Sequence, residues 1–194
     1  MIRFIGFYDY TVILTYMSLI SSVLGMVFTI RGNFTLAVIC LGVSGICDAF
    51  DGIVARTKKN RTEDEKAFGV QLDSLCDVIS FGVFPAILCY IMGVDGILGM
   101  LVIFLYCLCA VIRLAYFNVL ETKRQKQEEG CNKEYRGLPV TTIAIVLPIV
   151  YFFKIIVSDF VFKILLHIML VVEAFLFILD FPVKKPDWKK LLVK

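Results

Sequence analysis

Six stretches of roughly twenty mostly apolar residues follow one another along the chain, and they leave little room for anything else. They run over Tyr10–Ile30, Phe34–Ala55, Phe68–Met92, Ile97–Leu120, Val140–Val157 and Phe160–Leu179. A bilayer core of ~30 Å needs ~20 such residues per helix. Inside it every backbone polar group must be paired within its own segment, which favours helices. The composition agrees, at 59% hydrophobic residues and a mean hydropathy of +0.85, against ~45–50% apolar in soluble domains. The expectation is an all-α, polytopic membrane protein of six transmembrane helices. It forms a single membrane domain over residues 1–194, with no separate soluble domain. The first stretch has only Arg3 before it and no small-residue cleavage site after it, so it is read as a retained span rather than a signal peptide. Of the seven cysteines, six fall inside these windows, where they serve as small packing residues; neither a disulfide nor a zinc site is expected.

The net charge of +3 says less than its distribution. Arg56, Lys58, Lys59, Arg61 and Lys66 follow the second window. Lys123, Arg124, Lys126, Lys133 and Arg136 follow the fourth, and Lys184, Lys185, Lys189, Lys190 and Lys194 lie in the tail. The opposite connections hold Arg31, Lys154 and Lys163. Positive residues favour the cytoplasmic side, so both termini and both long loops are expected there. The basic tail with Trp188 also suits contact with anionic membrane lipids. A nucleic-acid partner is not expected.

The ionisable residues inside the windows carry the chemistry. Asp48 and Asp51 lie in the last turns of the second, Asp73 and Asp77 in the first turns of the third, and Arg113 late in the fourth. Such groups are costly in a membrane and by default mark function. Asp48 and Asp51 share a helix face, as do Gly69, Asp73 and Asp77 at intervals of four. A short connection makes the two helices antiparallel neighbours, so both acid pairs should lie at similar depth, ~10–15 Å below the helix ends. Four anions cannot share a low-dielectric site unaided; either some carry protons or cations neutralise them. Hard divalent cations with oxygen ligands are the simplest answer, and two of them suit the clamping of a phosphate. Gly52 and Gly69 would let a ligand or a second helix approach the backbone. Arg113 could pair with an acid or form a forked contact with a carboxylate or phosphate. Asn118, Lys133 and Arg136 are further candidates near the mouth, and Ser74 and Ser80 either donate into the site or bind neighbouring backbone. Glu173, in the sixth window beside His167, is expected to serve a helix–helix or dimer contact. An ion or solute transporter would also place acids in a membrane, but no inverted repeat is evident.

The runs DAFDGIVAR (Asp48 to Arg56) and GVQLDSLCD (Gly69 to Asp77) resemble the signature of the CDP-alcohol phosphatidyltransferase family, D-x-x-D-G-x-x-A-R followed by G-x-x-x-D-x-x-x-D. All eight defining residues are present: Asp48, Asp51, Gly52, Ala55, Arg56, Gly69, Asp73 and Asp77. The gap from Thr57 to Phe68 is longer than the family's commonest. The segments LDSLCDVISFGVFPA (from Leu72), IRLAYFNV (from Ile112) and YRGLP (from Tyr135) resemble those of the phosphatidylserine synthases within it. The resemblance implies transfer of a phosphatidyl group from a CDP-activated lipid to L-serine, giving phosphatidylserine and CMP at a cytoplasmic-side site. It also implies homodimers and a requirement for two ions of magnesium or manganese. By the same resemblance Asp48, Asp51 and Asp73 bind metal, and Asp77 is general base and near the second ion. Gly52, Ala55, Arg56 and Gly69 surround the CDP moiety. Arg113, Arg136, Lys133, Asn118, Ser74 and Ser80 remain for serine or phosphate. Inositol phosphate or glycerol phosphate acceptors are the alternatives within the family.

Overall fold

A computed structural model describes residues 5–55, 57–58, 60–126 and 134–184. The helices are α1 (Ile13–Ile30), α2 (Phe34–Ala55), α3 (Glu63–Asp77), α4 (Phe84–Ile91), α5 (Gly96–Lys126), α6 (Ile143–Phe153) and α7 (Asp159–Ile178). The α1 helix is entered through a 3-10 turn at Tyr10–Val12, and α6 through one at Val140–Thr142. A π-helical turn, Val78–Val83, joins α3 to α4 into one long bent rod. Five rods are long and apolar enough to cross a membrane: Tyr10–Ile30, Phe34–Ala55, Glu63–Ile91, Gly96–Lys123 and Asp159–Ile178. The fifth apolar window yields a shorter helical stretch, Val140–Phe153, with Pro148 inside it. The six windows thus appear as five long rods and one short one.

The packing of α1 is inverted relative to a helix of a water-soluble bundle. Along α1 the buried residues are Thr15, Ser18, Ser21, Ser22, Gly25 and Thr29, while Ile13, Met17, Ile20, Leu24 and Val27 are exposed. Small hydroxyl residues let helices approach closely and bond across the interface where lipid supplies the apolar surroundings. Ser18 and Ser22 both bond to Ser44 Oγ, at 2.6 and 2.9 Å, and Ser21 donates to the Cys40 carbonyl at 2.8 Å. These contacts zip α1 onto α2. The α5 helix packs on α7, α6 lies against α2 and α7, and the bent α3–α4 rod runs between the α1–α2 and α5–α7 pairs.

The bend has a local cause. Pro85 has no N–H to return to the Phe81 carbonyl four residues earlier. The Tyr106 hydroxyl of α5, fully buried, donates to that carbonyl at 2.5 Å, so the freed acceptor is paired by a neighbouring helix. The polar start of α3 is set by a capping box: Thr62 accepts from the Glu65 N–H and Glu65 from the Thr62 N–H.

One element was not expected from the sequence. Glu134–Arg136 (β1) pairs antiparallel with Pro182–Lys184 (β2). The ribbon ties the segment before α6 to the segment after α7, and Gly137, at φ +76°, turns the chain directly after it. The ends of α2, α5 and α7 and the starts of α1, α3 and α6 therefore gather at one end of the bundle.

Gly25 is the tightest approach between α1 and this framework. A Cβ there would lie 2.3 Å from the Phe84 ring and 3.0 Å from Cys40 Cβ, whereas one at Gly42 would meet nothing within 4 Å. Gly25→Ala should therefore cost about 1–3 kcal/mol by overpacking, and Gly42→Ala should be close to neutral. Denaturant titration of the detergent-solubilised variants checks both; equal stability of the two would exclude this packing.

Candidate active site

The site is built at the end of the bundle where α2 finishes and α3 begins. The backbones of α2 and α3 hardly touch. Each is held by other partners: α2 by α1 and α6, α3 by α1 and α5. The expectation of direct antiparallel neighbours is thus corrected to two helices facing each other across a gap, and the carboxylates of Asp48, Asp51, Asp73 and Asp77 point into it. Oxygens of Asp48, Asp73 and Asp77 all lie within 4.8 Å of one another. Asp48 faces Asp77 and Asp51 faces Asp73 at hydrogen-bonding range. Asp77 is buried and the other three are half-buried. Thr15, which the sequence did not mark, donates to Asp51 Oδ2 at 3.2 Å. Asp73 Oδ1 is buried with no hydrogen-bond partner among the described residues. An orphaned buried carboxylate oxygen is costly, and a cation with oxygen ligands at 2.0–2.6 Å fits among acceptors spaced up to ~5 Å apart. The donor set therefore suits a hard divalent ion.

The two signature glycines differ. A Cβ on Gly52 would meet nothing within 4 Å, so the backbone of α2 is open there. A Cβ on Gly69 would lie 2.6 Å from an Nη of Arg61, a residue of the α2–α3 connection. Ala55 closes α2; Arg56 and Lys133 lie outside the described residues, and Arg136 is described only as backbone in β1.

On the far side, Ser74 donates to Asn118 Oδ1 at 2.6 Å and Asn118 donates to Gln71 Oε1 at 3.4 Å, which links α3 to α5. Ser80 is buried in the π turn, its hydroxyl without a partner among the described residues. Arg113 is buried, and its Nε and one Nη donate to the carbonyls of Leu138 and Gly137, at 3.0 and 3.3 Å. These two donors thus go to the backbone of the segment after β1, where the sequence had suggested an acid, a carboxylate or a phosphate. That segment is fastened again by Gly137 N to Phe181 O at 2.8 Å and Leu138 N to Leu176 O at 3.3 Å. Thr142 Oγ1 contacts both the Pro139 carbonyl, at 2.8 Å, and Glu173 Oε2, at 3.0 Å. Glu173 thus makes a helix–helix hydrogen bond, and His167 Nδ1 lies 2.8 Å from the Lys163 carbonyl one turn back.

The family model for CDP-alcohol phosphatidyltransferases matches residues 10–179, which takes in every element that shapes the gap. The chain belongs to this family. It is 39% identical to the archaetidylserine synthase of Methanothermobacter thermautotrophicus over 132 residues, covering 68% of this chain and 52% of that protein. It is 39% identical to the CDP-diacylglycerol–serine O-phosphatidyltransferase of Saccharomyces cerevisiae over 110 residues, 55% of this chain and 38% of that one. The enzyme of that name from Methanocaldococcus jannaschii is 33% identical over 132 residues, 68% of this chain and 56% of that one. The chain thus spans about half the length of the curated relatives it matches. No solved structure matches it.

The α2–α3 connection is tethered at the same end of the bundle as the carboxylates. Lys58 bridges Asp9, at 2.8 Å, and Glu65, at 3.1 Å, and Tyr10 and Thr57 hydroxyls meet at 3.1 Å. The Lys58 ammonium, with help from Thr11, holds the Asp9 carboxyl down at about 2. A carboxyl depressed in the folded state keeps its contribution above the ordinary carboxylate range and loses it as the pH falls through about 2. Asp9→Ala should free the connection at neutral pH. Hydrogen exchange at residues 57–62 is expected to speed up severalfold, with the α2 interior unchanged; unchanged exchange there would show that Lys58–Asp9 does not hold it.

Proposed function

We propose that this protein transfers the phosphatidyl group of a CDP-activated lipid to the hydroxyl of L-serine, releasing CMP and giving a phosphatidylserine. The observation that carries this is the convergence of Asp48, Asp51, Asp73 and Asp77 on one gap inside an apolar bundle, in a chain of this family. The names of the relatives support serine as the acceptor. We further propose six crossings, with α6 as the short one, and both termini and the site at the cytoplasmic side, from the excess of Lys and Arg in the connections at that end. A homodimer is part of the same proposal.

In the transfer, the serine hydroxyl oxygen bonds to the phosphorus that carries the lipid alcohol. The bond from that phosphorus to the bridging oxygen breaks, and CMP leaves with the electron pair. Such chemistry is mainly positioning and charge neutralisation. Asp48, Asp51, Asp73 and Asp77 would hold the divalent ions, magnesium or manganese, whose chemistry when bound is to neutralise the diphosphate and orient it for in-line displacement. Asp77 accepts the hydroxyl proton; it is the most buried of the four, so its position is fixed by packing and it needs only hydrogen-bond reach. Thr15 orients Asp51 by donating to its Oδ2. The open backbone at Gly52 leaves room for the nucleotide beside α2, with Ala55, Arg56 and Gly69 around it. Ser74 and Asn118 brace α3 against α5 and keep the acids in register. Ser80, Lys133 and Arg136 are kept as contacts for serine or phosphate.

Purified protein given CDP-diacylglycerol, Mg2+ or Mn2+ and a panel of serine, inositol phosphate and glycerol phosphate should release CMP with serine alone. Asp48→Asn, Asp51→Asn and Asp73→Asn should each lower that release by roughly 100-fold or more and weaken Mn2+ binding, read separately by paramagnetic resonance. Substantial activity in any two of the three would end the metal-site proposal, and transfer to another alcohol would reassign the acceptor.

Arg113 is proposed to serve the acceptor end, by holding Gly137–Pro139 in place and by meeting the serine carboxylate. Arg113→Lys keeps the charge and loses the fork. The apparent KM for serine should rise roughly tenfold or more, with a smaller change for CDP-lipid. A dominant effect on the CDP-lipid curve would move Arg113 to the diphosphate.

A further inference from the structure

Beside the family signature stands a cation that the transfer chemistry above does not use. Arg61 lies in the connection between α2 and α3, two residues before the helix begins. One of its Nη atoms lies where a side chain on residue 69 would stand, 2.6 Å from the Cβ position of Gly69. Its Nε is buried and has no hydrogen-bond partner among the described residues. Its Nη2 donates to a backbone carbonyl, that of Glu65, at 3.0 Å. Two acids of the first turn of α3 are engaged elsewhere. Glu65 takes Lys58 and the Thr62 N–H, and Glu63 takes Lys66 at 2.7 Å. Among the described residues no carboxylate lies within 4.0 Å of the Arg61 guanidinium.

A guanidinium that served only to fix the connection would be expected on a carboxylate or on several carbonyls, with its Nε satisfied. This one instead has a single carbonyl partner, leaves its Nε unsatisfied, and lays its Nη2 against the bare backbone of the signature glycine. Gly69 stands one helical turn before Asp73 on the face that carries Asp73 and Asp77, a rise of about 6 Å. The charge thus sits at the mouth of the carboxylate gap. The Nε and Nη edge of a guanidinium matches two oxygens of a phosphate. The Lys58 and Thr57 tethers hold the backbone before it, so the side chain can swing while its anchor stays.

We propose that Arg61 is a phosphate-binding residue of the nucleotide site, gripping a phosphate oxygen of the CDP moiety and sharing with the aspartate site the neutralisation of the diphosphate. This rests on the assignment of a CDP-lipid as donor. The α2–α3 connection, the part of the signature whose length departs from the commonest pattern, would then contribute a donor of its own to the site.

Calorimetric titration of CDP and of cytidine into the detergent-solubilised full chain tests this apart from turnover. Arg61→Ala should weaken CDP about tenfold or more and leave cytidine within about twofold. In steady state it should raise the KM for CDP-diacylglycerol and spare that for serine. Arg61→Lys, which keeps the charge and the bulk, should fall between wild type and Arg61→Ala. Unchanged CDP affinity in Arg61→Ala, equal losses for CDP and cytidine, or an effect confined to serine would each overturn the proposal. A wild type that binds CDP but releases no CMP from CDP-lipid and serine would instead count against the proposed reaction, with the role of Arg61 still read from the CDP titration.

Discussion

Four carboxylates face one gap inside an apolar bundle, and their mutual repulsion is the constraint to which the rest of the architecture answers. At separations under 5 Å and in surroundings far less polar than water, each pair of like charges costs several kcal/mol. Helices that carried these acids and packed directly on each other would collapse the gap or splay apart. The fold avoids both outcomes by giving α2 and α3 their packing elsewhere. The serines of α1 zip onto Ser44 and the Cys40 carbonyl of α2. The α3 helix is braced to α5 through Ser74 and Asn118. The helices that carry the acids are thus positioned by contacts that do not involve their charge, and Asp73 Oδ1 is left without a partner among the described residues.

The long rods were legible because a bilayer imposes a length and an apolar composition at once. The second window coincides with α2 over Phe34–Ala55, since Arg31, Gly32 and Asn33 bound it on one side and a basic run on the other. The third window began at Phe68, five residues late. Its helix starts at Glu63 through the Thr62–Glu65 capping box, a polar turn that hydropathy alone does not see. The turn after Phe153 shortens the fifth, where apolar composition continued past the helix. The β1–β2 ribbon was invisible to periodicity because three-residue strands from distant parts of the chain carry no pattern of their own.

Within the site the same division holds. The depth and shared faces of Asp48, Asp51, Asp73 and Asp77 followed from helical spacing. Their separation across a gap did not, because spacing within a helix says nothing of what stands between two helices. Arg113 was legible as a buried cation, but its described contacts include backbone carbonyls of Gly137 and Leu138, which every residue possesses and no motif advertises. Thr15 lies on the buried hydroxyl face of α1 among residues that serve packing, so its contact with Asp51 becomes visible only once α1 and α2 are docked. Glu173, in mid-window, found a threonine rather than a charge: a hydroxyl satisfies one oxygen of a buried acid at less desolvation cost than a second ion would.

The two ends of the site differ in how many contacts fasten them, and the proposed chemistry gives a reason. On one side the Gly137–Pro139 segment is fastened from several directions: by Arg113 from α5, by the Phe181 and Leu176 carbonyls, and by Thr142, which also reaches Glu173 of α7. On the other side Gly52 is open, and Arg61 lies on Gly69 with an unsatisfied nitrogen. A small acceptor offers few handles, so its orientation has to come from walls that do not move. A nucleotide diphosphate brings its own charge and bulk, and can displace a side chain on entry in exchange for the contacts it makes. Under the proposed transfer, the strapped side would suit the acceptor and the open side the donor, with the carboxylates between them.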